Sequence, residues 1–164
     1  MRIELLYSAL NPLIGMCQQA LESSGQDLTA DSQSDWKAGP QVVVNFSGDL
    51  DGQLAVTFCG SVADQIVEWI AETAGDPQLT TDPVAKSLLR RSGMAEFAQR
   101  LFGLVEAHFD SNGVQVQGLE PAIFDQDSFH PTPRNLVARR KLAAPDGEVI
   151  LELSAGRLQD DLQL

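Results

Sequence analysis

The sequence predicts an α+β fold, with a largely antiparallel sheet packed by helices. Two pairs of segments alternate apolar and polar residues, and each pair is joined by a short loop of turn-forming residues. Three other segments repeat apolar residues with the period of a helix. The predicted order is α, β, β, α, α, β, β, β. Connections of the hairpin type imply antiparallel neighbours, with the helices packed on a face of the sheet.

The first predicted helix begins at Asn11 and Pro12, because asparagine can cap a helix and proline suits its first turn. Two serines and a glycine at residues 23–25 end it. The state of residues 1–10 is ambiguous. Residues 26–40 are polar and are predicted to form a loop.

A hairpin and a second helix follow. Residues 42–58 contain two alternating strands around the turn-forming sequence Gly-Asp-Leu-Asp-Gly at positions 48–52. Gly60 and Ser61 then close the second strand and cap a helix over about residues 62–74. Its apolar positions recur with helical spacing.

A long helix is predicted from Asp82 and Pro83 to about Phe109. Placed at about 100° per residue, its side chains divide into an apolar stripe and a narrow polar wedge. The stripe contains Val84, Leu88, Ala95, Ala98, Phe102, Val105 and Phe109, and is widened by Met94, Phe97, Leu101 and Leu104. The polar wedge contains Ser92, Glu96, Gln99 and Gly103.

The remaining residues complete the sheet. A short strand is predicted near residues 114–116, and a last hairpin pairs about 135–142 with 148–154. Residues 1–154 are interpreted as a single domain, and residues 155–164 as a C-terminal tail.

A basic run, Arg139-Arg140-Lys141, lies on the first strand of this last hairpin. Cross-strand pairing with Glu148 and Glu152 is the simpler interpretation of it. Docking onto an acidic partner is the sharper alternative. His108 falls on the apolar side of the long helix and is expected to be half-buried and hydrogen-bonded rather than a ligand.

Composition excludes several classes of function. The formal net charge of −12 argues against nucleic acid or an anionic membrane as the main partner. No basic segment precedes an apolar run at the N-terminus, and no apolar stretch approaches the ~20 residues that span a bilayer. The two cysteines stand apart in apolar settings, as is typical of buried thiols in a reducing cytoplasm. No spacing of metal ligands is present.

The polar wedge is the candidate functional site. Glu96 and Gln99 are three residues apart, so both side chains project from one patch about a turn long. Gly103 lies one turn further along, and a glycine inside a helix costs roughly 1 kcal/mol relative to alanine. Close approach of another backbone or of a partner protein would explain it. A solvated helix face with a tolerated glycine is the alternative.

The spacing of these residues resembles the motif of the CheC/CheX/FliY chemotaxis phosphatases. That motif has Asp or Ser, then Glu four positions later, then Asn three positions after it, and a Pro about two dozen positions further on. Ser92, Glu96, Gln99 and Pro121 occupy those positions here. Flanking segments agree with it, at residues 11–14 and 45–52. One copy of the motif is present, which makes the chain most similar to CheX-like proteins.

The resemblance implies a phosphatase that hydrolyses the aspartyl-phosphate of a CheY-like response-regulator receiver. The receiver supplies the phosphorylated aspartate, Mg²⁺ and a lysine, so the phosphatase needs no cofactor of its own and only orients a water for in-line attack. Gln99 would orient that water through its carboxamide. Glu96 would pair with the receiver's lysine and fix the docking register.

The other positions take supporting roles under this resemblance. Ser92, Arg100 and Gly103 are partner-binding residues: a polar contact, a cation beside the receiver's acidic pocket, and a point of close approach. Pro121 is structural and shapes the segment that it begins. CheX-type proteins form dimers through sheet edges, so the final hairpin is a candidate homodimer contact.

The chain departs from the family at one position, where Gln99 replaces the family's Asn. Glutamine carries the same amide on one more methylene, and a misplacement near 1 Å can cost about 100-fold in rate. The unrelated helical-bundle phosphatase CheZ uses a glutamine with an acid on the same helix face, so the chemistry is feasible. The alternative hypothesis is a non-catalytic receiver-binding or assembly module on the same fold.

Overall fold

The computed structural model describes residues 3–21, 26–28, 39–74, 83–124, 134–144 and 147–158. These residues form three helices and seven strands. In chain order the elements are α1 (Ile3–Ala20), β1 (Gln26–Leu28), β2 (Gln41–Gly48), β3 (Gly52–Gly60), α2 (Val62–Ala74), α3 (Pro83–Ser111), β4 (Val116–Gly118), β5 (Ala122–Phe124), β6 (Arg134–Ala144) and β7 (Gly147–Leu158).

All the strands pair antiparallel in one sheet, in the order β1-β6-β7-β3-β2-β4, with β5 also on the outer edge of β2. The predicted α+β fold with an antiparallel sheet is therefore confirmed. An uninterrupted ladder joins β3 to β7, from the pair Gly52 and Ala155 to the pair Gly60 and Gly147. This ladder forms the middle of the sheet.

The helices share one core with the sheet, and aromatic rings hold α3 in place. Phe46 on β2 lies between Phe102 and Phe109 of α3, with ring centroids 5.6 Å and 6.0 Å away. Phe58 on β3 meets Phe97, one helical turn earlier, at 6.3 Å. All five rings are buried. Because burying each side chain is worth roughly 1.5–3 kcal/mol, these contacts fix which side of α3 faces the sheet.

The first helix is longer than the sequence predicts. It runs from Ile3 through Pro12, so the predicted start at Asn11 is wrong. Leu6, Leu10 and Leu13 are fully buried at helical spacing on both sides of the proline. Their combined burial exceeds the ~3 kcal/mol that an interior proline costs. Asn11 caps nothing, and its side-chain oxygen accepts a hydrogen bond from Arg140 instead.

Two three-residue strands and one strand end also differ from expectation. β1 lies within the predicted polar loop, and β5 was not predicted. β7 reaches Leu158, so residues 155–158 belong to the sheet rather than to the tail, and residues 159–164 lie outside the described residues. β1 pairs with β6 over residues 141–143, which covers part of the edge expected to make a dimer. The dimer stays a prediction.

The basic run on β6 forms the predicted cross-strand ion pairs. Arg139 Nε donates to Glu152 Oε2 at 2.9 Å, and the two residues are direct partners in the ladder. Lys141 Nζ lies 3.8 Å from Glu148 Oε1. Glu152 is only 1% exposed. Arg139 and Lys141 therefore place positive charges beside two carboxylates that are buried in the sheet.

The end of α3 is closed by hydrogen bonds of the Schellman type. Gly113 adopts a φ of 79°, its N–H donates to the Asp110 carbonyl at 3.0 Å, and the Val114 N–H donates to the Phe109 carbonyl at 2.9 Å. Val114 packs against the core. The chain then reverses into β4, as the Asp-Ser-Asn-Gly stop predicts.

No helix in the described part of the chain is long and apolar enough to cross a membrane. The cytoplasmic location stays a prediction.

The pair between Arg139 and Glu152 allows a stability test. Replacing Arg139 with Met leaves the buried Glu152 carboxylate without its ladder cation, so the free energy of unfolding should fall by about 2–3 kcal/mol. Arg90→Met is the matched control. It breaks an exposed pair with Asp64 and should cost less than about 0.5 kcal/mol. Urea unfolding measures both, and equal losses would contradict this account of the sheet.

Both cysteines should be unreactive in the native protein. Cys17 and Cys59 are buried thiols that are not joined in a disulfide, and burial raises the pKa of the Cys17 thiol to about 12. At pH 8 almost no Cys17 thiolate exists, and a thiolate is the reactive form. We expect Ellman's reagent to label neither thiol quickly in native protein, and two per chain in guanidinium chloride. Rapid native labelling would contradict this burial.

Candidate functional site

The polar wedge lies on the face of α3 opposite the sheet. Ser92, Glu96, Gln99 and Gly103 are all exposed, whereas the other side of the same helix is buried. At about 100° per residue the four positions fall within roughly 60° of one another around the helix axis. The buried side consists of Met94, Phe97, Ala98, Leu101, Phe102, Val105 and Phe109. Aromatic packing against the sheet therefore decides that the acid and the amide point outwards.

The assignment of Leu88 to the apolar stripe is wrong. Leu88 is 66% exposed and lies outside the core. Its position around the helix is close to that of Ser92 and Gln99, one turn before the polar wedge. Its carbonyl oxygen accepts a hydrogen bond from Ser92 Oγ at 3.2 Å. Leu88 thus adds an apolar side chain to the exposed face, which the stripe assignment missed.

The two glycines in this part of α3 differ in their surroundings. A Cβ atom built on Gly93 would lie 2.9 Å from Val67 Cγ2, so Gly93 is where α2 and α3 approach closely. A Cβ atom on Gly103 would meet no described residue within 4 Å. Packing among the described residues therefore explains Gly93 and does not explain Gly103. The open space at Gly103 leaves room for an approaching surface.

Glu96 pairs with Arg100 of the same helix, and Arg100 in turn contacts a ring on α2. Arg100 Nη2 donates to Glu96 Oε1 at 2.9 Å, as residues four apart on a helix can. The guanidinium carbon of Arg100 lies 5.7 Å from the ring centroid of Trp69 on α2. Trp69 in turn packs edge-on against the buried ring of Phe97, with centroids 6.1 Å apart. The contact with Trp69 could not be predicted from residue spacing, because it joins two helices.

The amide of Gln99 is accessible. Its side chain is exposed one turn from Glu96, so both can meet the same partner. Pro121 is more distant in role: it lies between β4 and β5, which pair with successive parts of β2 at Gly118 and Ala122. The structure brings Ser92, Glu96, Gln99, Arg100 and Gly103 together on one surface. Pro121 lies in the break between these two strands, at the edge of the sheet.

A groove continues this face towards the end of α3. It has a volume of about 390 Å³ and is lined by Gly103, Glu106, Ala107, Asp110, Gln115 and Val116. The missing side chain at Gly103 opens one end of it. The polar wedge is therefore continuous with a groove, and a partner that contacts the wedge has space to pack against the end of α3.

Other candidates carry no chemistry of their own. His108 is half-buried, with Nε2 at 2.8 Å from the hydroxyl of Ser8 on α1, which confirms that it is a satisfied structural residue. Among the described residues, no group of three or more His, Cys, Asp or Glu side chains could hold a metal ion.

Comparison with solved structures finds the same fold in chemotaxis proteins. A chemotaxis protein from Desulfovibrio vulgaris Hildenborough is 17% identical with a TM-score of 0.70, and the match covers 93% of this chain and 97% of that one. CheX from Desulfovibrio desulfuricans is 19% identical with a TM-score of 0.66, over 91% and 99% of the two chains. A chain of the CheX–CheY–BeF3–Mg²⁺ complex from Borrelia burgdorferi is 11% identical with a TM-score of 0.68, over 95% and 100%.

No protein-family model and no curated protein matches the sequence. At identities below one fifth, the structural likeness establishes the fold. The chain has the fold of CheX- and CheC-like chemotaxis proteins over nearly its whole length.

Alanine substitutions at the two glycines should change stability in opposite directions. Gly103→Ala fills open space and removes the helix penalty of glycine, so it should raise the free energy of unfolding by about 1 kcal/mol. Gly93→Ala is the matched control in the same helix. Its methyl group would press on Val67, and overpacking should lower stability by about 1 kcal/mol or more. Thermal unfolding measures both, and a loss of stability at Gly103 would show that this position is packed within the chain.

Proposed function

We propose that this CheX-like chain is a phosphatase that hydrolyses the aspartyl-phosphate of a CheY-like response-regulator receiver. The observation that carries the proposal is an acid and an amide exposed on one turn of α3, Glu96 and Gln99, beside Gly103, whose open side no described residue covers. The fold supports it, because the solved structures that share this fold include CheX proteins. One of them was solved in a complex with CheY.

The chemistry asks little of the phosphatase. Transfer of a phosphoryl group to water needs an in-line nucleophile and stabilisation of charge on the phosphoryl oxygens. In this proposal the receiver provides the phosphorylated aspartate, its Mg²⁺ and a lysine. Gln99 enters the receiver's site and orients the water, since a carboxamide can both accept and donate a hydrogen bond. The protein needs no metal of its own.

Glu96 sets the register of docking. Its carboxylate is 49% exposed and pairs with the receiver's lysine as the interface closes. Ser92 adds a polar contact one turn earlier, and the open space at Gly103 lets the receiver's backbone approach α3. These contacts hold the water in place before the reaction. The catalysed reaction therefore does not have to lose the water's translational and rotational entropy in reaching its transition state.

A second candidate function rests on Gln99 itself. The motif that the sequence resembles has Asn at this position, and glutamine places the amide about one methylene further out. If the longer side chain misplaces the water, docking survives and hydrolysis does not. The protein would then be a non-catalytic receiver-binding or assembly module.

Decay of the receiver's phosphate tests the proposal. CheY-like receivers from the same genome are phosphorylated with acetyl phosphate, freed of donor, and followed with and without the protein. Wild type should shorten the phosphate half-life of its partner. Gln99→Ala should lower the catalysed rate by about 100-fold or more, as removal of a positioning group does. Glu96→Ala should lose activity chiefly through weaker docking.

The matched control is Gln19→Ala, which removes an exposed amide from α1 and should leave the rate unchanged. An unchanged half-life with every receiver would defeat the phosphatase proposal. Capture of a receiver with an unchanged half-life would select the binding module. In that case a gain of activity in Gln99→Asn would assign the loss to the extra methylene.

A further inference from the structure

We propose that Arg100 and Trp69 are positioning residues that hold the Glu96 carboxylate ready for the receiver's lysine. The inference rests on the proposed function. It assigns Arg100 a role inside the chain, where the sequence indicates only a contact with the partner. No sequence pattern assigns a role to Trp69. Three observations carry the inference: an ion pair, a ring beneath it, and a buried anchor for that ring.

The ion pair orders the carboxylate. Arg100 Nη2 donates to Glu96 Oε1 at 2.9 Å, which uses one carboxylate oxygen and leaves Oε2 for an incoming cation. A free glutamate side chain samples many rotamers, and immobilising one at an interface costs free energy. A carboxylate already fixed by an arginine has lost part of that freedom before the partner arrives.

Trp69 makes the arginine a firm support. A long arginine side chain on a surface is itself mobile, so an exposed ion pair alone fixes little. Here the guanidinium lies over the Trp69 ring, 5.7 Å from its centroid, where the face of the ring attracts a cation. Arg100 is accordingly only 35% exposed, less than its partner Glu96 at 49%.

The support reaches the core through one further contact. Trp69 lies half-buried between α2 and α3 and meets the fully buried Phe97 edge-on at 6.1 Å, with the rings 88° apart. Phe97 is next to Glu96 in the chain and packs on the sheet through Phe58. A continuous series of contacts thus joins the sheet to the Glu96 carboxylate.

The consequence is a separation of docking from chemistry. Trp69 and Arg100 act through Glu96, whereas Gln99 orients the water. Loss of the support should therefore weaken binding of the receiver and leave the maximal rate of hydrolysis almost unchanged. A residue that merely maintained the fold would lower both or neither.

Two variants with conservative partners test this. Arg100→Met keeps the stem over Trp69 and removes the guanidinium, and Trp69→Leu keeps apolar volume and removes the ring face. Each should raise the Kd for the beryllofluoride-activated receiver about fivefold, the loss expected when one rotamer-rich side chain has to be immobilised on binding. The rate at saturating phosphorylated receiver should stay within about twofold of wild type. Arg100→Lys and Trp69→Phe should restore most of the affinity.

The double variant and a charge control complete the design. Because Trp69 works through Arg100, the double variant should bind no more weakly than Arg100→Met alone. Arg90→Met removes the same charge from an exposed pair with Asp64, which also joins α3 to α2, and should change Kd less than about twofold. NMR provides a readout without any receiver: the Arg100 side-chain protons should show upfield ring-current shifts that Trp69→Leu abolishes.

The outcomes separate this inference from the proposed function. Equal or tighter binding by Arg100→Met, additive losses in the double variant, or unshifted Arg100 protons in wild type would each overturn the inference and leave the phosphatase proposal standing. A wild type that binds and dephosphorylates no receiver would defeat the proposed function, and the positioning role with it.

Discussion

The packing of α3 against the sheet is the constraint on which the candidate site depends. Phe97, Phe102 and Phe109 lie on one side of the helix and meet Phe46 and Phe58 of the neighbouring strands β2 and β3. With that side buried, the helix cannot rotate without exposing aromatic surface, at about 25 cal/mol per Å² of apolar area. The opposite side, with its acid and amide, is therefore presented outwards by the core itself.

The candidate site supplies few reactive groups of its own. Among the described residues, no group of three or more His, Cys, Asp or Glu side chains could hold a metal ion, and the polar wedge offers one acid, Glu96, and one amide, Gln99. A site that supplies an acid and an amide on a rigid helix is suited to completing a centre whose charges lie on another protein. This is the physical reason why partner and chemistry enter the proposal together.

Much of the fold could be predicted because its signals are local. The hairpin at residues 42–58, the start of α3 at Pro83 and its glycine stop each follow from a few neighbouring residues. Helical periodicity also placed the polar wedge. The extent of α1 was not predictable in this way, because Pro12 is a strong local signal that burial on both sides of it outweighs.

The features that sequence reasoning missed depend on contacts between elements. Strands of three residues, such as β1 and β5, are defined by their partners and carry too few residues to show a pattern. Leu88 is an exception, because its position around the helix, close to those of Ser92 and Gln99, by itself places it on the exposed face. The stacking of Arg100 on Trp69 joins two helices and leaves no trace in the spacing of either.

We propose that a receiver docks on the outer face of α3, and this docking can be tested directly. The most direct measurement is an NMR titration of the isotope-labelled protein with a beryllofluoride-activated CheY-like receiver. The account expects the largest shift changes at Ser92, Glu96, Gln99 and Gly103, with smaller ones along the groove that begins at Gly103. Changes confined to the sheet edge or to α1, with α3 unaffected, would contradict it.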